Sequence, residues 1–235
     1  MSPSDNDAPV ETAAPSTARG RRTRAQFVDA ASQVFAEKGY IDTNVADIVR
    51  RAGTGHGTFY RYFGSKEDVF REVALALQCT MLNSTYDDGP RDGDVPATYG
   101  SVEEEMLCRI TRATRRYLDA YRQNAALIAV IEQVATFNDT LREIRREIRC
   151  AFVDRARASI ERMQAAGIAL PDVDARYAAN ALGSMIDRFA FVWLVLDEPF
   201  ELEEASRTLA LLWTRALGIS VPCQPAATPG QRDER

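Results

Sequence analysis

Apolar residues recur along this chain at helical spacing almost from end to end. Phe27, Ala30, Ala31, Val34 and Phe35 stand at i, i+3, i+4, i+7 and i+8, which predicts a first helix over Arg22 to Lys38. Gly39 follows where a left-handed cap belongs, with Lys38 favourably placed against the helix dipole. A second, short helix should begin after Thr43 or Asn44, both good N-caps, and turn Val45, Ile48, Val49 and Ala52 inward. Gly53-Thr54-Gly55 reads as a tight turn, and a third short helix runs from His56 to about Phe63. Gly64 ends it, and Ser65 caps a fourth helix that starts Lys66-Glu67-Asp68.

The pattern breaks between Thr85 and Ser101 into Asp, Gly and Pro, the composition of a loop or mobile connection. Helical periodicity then predicts segments over Val102 to Tyr121, Asn124 to Phe137, and Thr140 to Ala166, the last stopping at Gly167. Two more are expected, from Asp174 to Leu196 and from Leu202 to Leu217. With no internal repeat and no strand alternation, the expected fold class is all-α.

Charge changes this picture in one respect. The chain carries a net −5, yet Arg19 to Arg71 holds ten Lys/Arg against six Asp/Glu, a surplus of four that leaves the remainder at −9. A basic module joined to a larger acidic one suits a DNA reader with a separate non-DNA domain. Met1 to Ala18 has three acids, no basic residue and no apolar core, so it reads as a disordered tail rather than a secretory signal. The longest apolar run, the eight residues Phe189 to Leu196, is too short to cross a bilayer. Cys79, Cys108, Cys150 and Cys223 show no paired spacing, and a single histidine offers no metal cluster. A reduced, cytoplasmic protein is expected, with no metal, no cofactor and no catalytic residues.

The candidate chemistry lies on the third helix. Phe59 and Phe63 are about 40° apart around the axis and define its inward face. Arg61 lies opposite their midpoint, with Gly57, Thr58, Tyr60 and Tyr62 fanned to either side. Such a face suits a duplex: Arg for guanine edges, Tyr and Thr hydroxyls for phosphates, glycine for close backbone approach. Lys66 would add a phosphate contact near backbone amides. The run Arg19-Gly20-Arg21-Arg22-Thr23-Arg24 leaves two readings open, a solvated tail or an arm reaching the minor groove or phosphates.

Residues Arg22 to Phe70, RTRAQFVDAASQVFAEKGYIDTNVADIVRRAGTGHGTFYRYFGSKEDVF, closely resemble the N-terminal domain of tetracycline-repressor (TetR) type regulators. The Lys38-Gly39-Tyr40 step, the Ala52-Gly53 turn, the Gly57 to Phe63 run and Ser65-Lys66-Glu67 carry the likeness. It implies base reading by His56, Gly57, Thr58, Tyr60 and Arg61, and phosphate contacts from Thr43, Tyr60, Tyr62 and Lys66. Many such regulators have an apolar residue and then Ser in the turn; here Thr54-Gly55 stands instead, and Thr54 is expected to take over capping.

The resemblance also implies a ligand cavity among the later helices, for which Tyr121, Glu132, Phe137, Phe152, Phe189 and Trp193 are candidates. For Glu132 a solvent-facing stripe is an equal reading. The helix from Ala178 to Leu196 is apolar nearly all round and must bury two faces. Leu182, Met185, Ile186, Phe189, Val192 and Trp193, with Leu209, Leu212, Trp213 and Ala216 on the last helix, are the expected dimer interface. The expected organisation is a disordered tail (1–18), a helix-turn-helix DNA-binding domain (19–66), a helical ligand-binding and dimerisation domain (67–219) and a second disordered tail (220–235). Together these predict a homodimeric repressor that binds a palindromic double-stranded operator and is released by a small-molecule effector. The alternative is a helical small-molecule-binding or scaffold protein that no longer reads DNA.

Overall fold

A computed structural model describes residues 17–85 and 101–220, all of whose regular structure is helical. Apart from Thr17, Ala18, Thr85, Ser101 and Ser220, the two expected tails and the central loop lie outside the described residues, as does Cys223. Eight helices follow in order: α1 (Ala18–Lys38), α2 (Val45–Arg51), α3 (His56–Phe59), α4 (Lys66–Ser84), α5 (Val102–Val134), α6 (Asp139–Ala165), α7 (Ala175–Leu194) and α8 (Leu202–Ala216).

Most boundaries fall where a capping residue puts them. Asn44, Ser65, Ser101, Asn138 and Asp174 each accept a backbone N–H of the following turn. Gly39 ends α1 at φ 77°, its N–H donating to the Phe35 carbonyl.

Three elements differ from the expectation. α1 begins four residues early, with Thr17 as its cap, so the Arg19 to Arg24 run is the first turns of a helix and not an arm. The expected break near residues 122–123 is absent, and α5 is a single helix of 33 residues. Asn124 turns its amide back onto the Ala120 carbonyl at 2.8 Å. Leu118 and Tyr121 before it, and Leu127 and Val130 after it, are buried. Packing on both sides overrides a weak local propensity. Finally, regular α3 stops at Phe59, although Tyr62 and Phe63 still donate to the Phe59 carbonyl and keep a helical turn.

One continuous core joins Phe27, Phe35, Phe59 and Phe70 of the first four helices to Leu118, Val134, Leu141 and Leu209 of α5, α6 and α8. Packing therefore does not break at residue 66, because α4 sits against α1, α5 and α6 at once. A smaller core at the other end gathers Ile160, Met163, Ala179, Leu182, Leu217 and Ile219. There the chain after α8 is tied to the α6–α7 connection by the Leu170 N–H to Leu217 carbonyl bond at 2.9 Å.

Gly218 makes that tie possible, with φ 70° and an ideal Cβ that would stand 2.3 Å from Leu170 Cγ. Gly218→Ala is expected to destabilise the fold by about 1–3 kcal/mol in urea unfolding. Adding Leu170→Ala should recover the steric part but not the backbone part. An unchanged midpoint for Gly218→Ala would refute this account.

Candidate nucleic-acid interface

The short α3 is held by aromatic packing rather than by its own hydrogen bonds. Its N-cap is Gly55, which has no side chain to cap with, and Thr54 Oγ1 is buried without a partner. The capping role expected of Thr54 is therefore not filled. Instead Phe59 and Phe63 are fully buried against Phe27 of α1, with ring centroids 5.4 and 6.2 Å away and nearly perpendicular. The opposite side is open: His56, Gly57, Tyr60 and Arg61 are exposed, while Thr58 and Tyr62 are half-buried. Arg61 lies 5.9 Å over the Tyr62 ring and otherwise faces outward.

Around this element a ring of polar ties sets its position. Arg24 donates Nε to Glu72 Oε2 at 2.9 Å and Nη1 to the Tyr62 carbonyl at 3.2 Å, and its guanidinium lies 4.8 Å over the Phe63 ring. One arginine thus clamps α1, the end of α3 and α4 together. Sequence reasoning placed it in a possible arm, because nothing local signals a partner 48 residues away. Gln26 Nε2 donates to the Ala52 carbonyl at 2.7 Å, fixing the turn against α1.

Asp47 makes the capping box of α2 with Asn44 and also takes Lys38 Nζ at 2.9 Å and the Arg50 guanidinium. These donors, Lys38 foremost, hold its carboxyl below the usual carboxylate range.

Two expected phosphate contacts are turned inward. Thr43 is buried, and its hydroxyl donates to the Gly39 carbonyl at 2.6 Å. Lys66 Nζ donates to the carbonyls of Tyr40 and Thr43, both at 2.8 Å, and lies 4.4 Å over the Tyr40 ring. Desolvation lowers its pKa. An ammonium so occupied organises the α1–α2 loop.

The candidates in the later helices fall in separate places. Tyr121 is buried on α5, close to Tyr117, which packs edge-on against Phe152. Glu132 pairs with Arg145. Phe189 and Trp193 contact each other, and Phe189 also meets Phe200. Phe137 is 55% exposed at the α5–α6 corner, beyond the end of α5, so it lines no interior.

Of the expected interface residues, Leu182 and Leu209 belong to the chain's own cores, because α7 and α8 each use that side against α6 or α5. Leu212 and Ala216 are exposed, and Met185, Ile186, Phe189, Val192, Trp193 and Trp213 are half-buried. No helix among the described residues is long and apolar enough to cross a membrane. No group of three or more His, Cys, Asp or Glu among those residues could hold a metal ion.

Residues 27–73, which span the Phe27–Phe59–Phe63 packing and the exposed α3 face, match the family model described as bacterial regulatory proteins, tetR family. Those residues carry a TetR-type N-terminal domain. The chain is 26% identical over 184 residues to the fatty acid metabolism regulator protein of Bacillus subtilis, covering 78% of this chain and 90% of that protein. It is 25% identical over 189 residues to the HTH-type transcriptional regulator TtgR of Pseudomonas putida, covering 77% and 85%. Among solved structures, a TetR-family regulator from Syntrophomonas wolfei shares the fold at TM-score 0.65 and 22% identity, over 86% of this chain and 99% of that one. FadR of Bacillus subtilis, solved in complex with stearoyl-CoA, does so at TM-score 0.62 and 22% identity, over 81% and 97%.

The lowered Asp47 carboxyl makes the TetR-type module acid-sensitive. A folded-state value below the unfolded value of about 3.9 adds stability above that pH and loses it as pH falls through the folded value. The gap in thermal midpoint between wild type and Asp47→Asn should thus be full at about pH 6 and shrink as the pH falls below about 3.9. A gap that stays constant over that range would refute the assignment.

Proposed function

We propose that the chain is a homodimeric, ligand-responsive transcriptional repressor of the cytoplasm. Residues 19–66 read a palindromic operator, and residues 67–219 bind effector and dimerise. The observation that carries this reading is the outward face of α3, where Arg61, Tyr60, His56 and Gly57 stand exposed on a backbone that Phe59 and Phe63 anchor. Arg61 reads a guanine edge, and Tyr60, Tyr62 and Thr58 hold phosphates or neighbouring base edges. Thr43 and Lys66 shape the loop beside them.

Arg19 and Arg22 sit in the first turns of α1, where the helix dipole disfavours positive charge and the first turn itself holds no acidic residue. Their placement is accounted for by nearby DNA phosphates.

Two-fold symmetry would set the recognition elements about 34–36 Å apart, one helical turn of DNA. The half-buried apolar face of α7, with exposed Leu212 of α8, supplies the surface for that symmetry. Release follows from contacts that join α6 to α4. Asn138 Nδ2 donates to Glu67 Oε1 at 3.2 Å, and Arg155 Nη1 to the Leu82 carbonyl at 2.9 Å. A ligand that favours a different placement of α6 would carry α4, and α3 with it, away from the DNA spacing.

Arg61→Ala should cost on the order of 1–3 kcal/mol on the specific operator and little on random duplex, measured by fluorescence anisotropy across a salt series. Equal losses on both would reduce Arg61 to a phosphate contact and defeat the reading of bases by α3. Leu212→Glu should move the protein toward monomer in analytical ultracentrifugation and weaken operator binding with it. A Leu212→Glu protein that stays dimeric would place the interface elsewhere.

A further inference from the structure

Arg24 closes the basic run that opens α1, yet its side chain is 21% exposed, whereas Arg19 and Arg22 are open to solvent. All three nitrogens of its guanidinium donate to protein. Nε and Nη2 take the two carboxylate oxygens of Glu72 on α4, the first at 2.9 Å, and Nη1 takes the Tyr62 carbonyl at 3.2 Å. A planar fork seated on both oxygens is charge-assisted and directional, and lysine cannot reproduce it.

Glu72 and Glu67 lie about 140° apart around α4, on opposite flanks of the buried face that Val69, Phe70, Val73 and Ala74 form. Glu67 accepts from Asn138 of α6 at 3.2 Å. One flank of α4 is thus tied to the larger helical body. The other is tied, through Arg24, to the start of α1 and the end of the α3 turn.

α1 also holds the recognition segment at both ends. Gln26 Nε2 donates to the Ala52 carbonyl before α3, and Arg24 to the Tyr62 carbonyl after it. The other links between this segment and α4 set little angle. Gly64-Ser65 keeps α3 close to α4, but a glycine imposes scant backbone preference of its own. The contact of Phe70 with Phe35 and Tyr40, at 4.8 Å between ring centroids, is apolar and non-directional. The ion pair of Arg24 with Glu72 fixes register as well as distance.

We infer that Arg24, seated on Glu72, is a positioning residue for base reading, setting the angle of the α3 turn to α4 without itself holding DNA. This rests on the reading of the outward α3 face as the surface that meets DNA. A phosphate contact and a positioning residue respond oppositely to the loss of Glu72. Glu72→Gln removes a negative charge and releases Arg24, which would strengthen binding to any duplex were Arg24 a phosphate ligand. For a positioning residue the same change loosens the Tyr62 end of α3 and weakens the reading of bases.

The test uses the full chain, a duplex that the wild type selects from a random pool, and a scrambled duplex of equal length, in fluorescence anisotropy over a salt series. Glu72→Gln is expected to weaken binding to the selected duplex at least about fivefold and to the scrambled one by less than about twofold. Arg24→Lys, which keeps the charge and loses the fork, should do the same. The double variant should lose little more than either alone, since both break one tie. The salt slope on the scrambled duplex should stay at its wild-type value throughout. Without DNA, the amides of Tyr60 to Phe63 should exchange hydrogen faster in both variants while α5 and α6 keep their protection. Circular dichroism and thermal midpoints check folding; should one variant fail to fold, the other carries the comparison. Unchanged or tighter binding by Glu72→Gln, a wild-type-like Arg24→Lys, equal losses on both duplexes, or unaltered exchange at Tyr60 to Phe63 would overturn the proposal. Faster exchange in a chain whose wild type selects no duplex would keep Arg24 as the tie between α3 and α4 and sink the DNA reading instead.

Discussion

Everything outward-facing on the first four helices depends on two phenylalanines that point inward. Regular α3 spans four residues and has no side-chain cap, too little to persist as a helix alone. Phe59 and Phe63 remove their rings from water against Phe27, each contributing on the order of 1.5–3 kcal/mol. That burial fixes the rotation of the helical turn about its axis, and so decides which side chains meet solvent. Arg24 adds orientation, because its fork reaches Glu72 and Tyr62 at once while its plane covers Phe63. The exposed arginine and tyrosines are consequences of this packing, not independent features.

The same economy explains why several polar residues are spent inside. Lys66 and Thr43 both serve the carbonyls that the α1–α2 loop leaves without helical partners. Asp47 gathers a cap and two cations at the start of α2. A short helix-turn-helix module has little core of its own, and such ties hold its loops to the angles that DNA reading needs. The core also continues through α4 into α5 and α6, so the module is seated on the larger helical body rather than tethered to it.

Local chemistry was legible in the sequence and distant pairing was not. Gly39, Asn44 and Ser65 announced helix ends because caps act within a turn. The inward face of α3 followed from two phenylalanines four residues apart. Arg24, by contrast, looked like part of a basic tail, since its partners Tyr62 and Glu72 come near only after folding. Thr43 and Lys66 read as outward for the same reason. The residues around Asn124 looked like a break because Asn is an indifferent helix former, and only neighbours buried on both sides overrule it. Glu132 stood out as a charge on an apolar helix, whereas its partner Arg145 on α6, and the bond from Tyr117 of α5 to Asp187 of α7, come together only after folding.

The unbroken course of α5 has a mechanical meaning. Thirty-three residues make a rod about 50 Å long. Without a kink or a hinge glycine, such a rod pivots as one piece, so its two ends move together and in opposite senses about any fulcrum between them. A pivot at one end sweeps the other by roughly 0.9 Å per degree, from that length alone. Rotations too small to disturb local packing near the middle would still reach ångström scale at the tips.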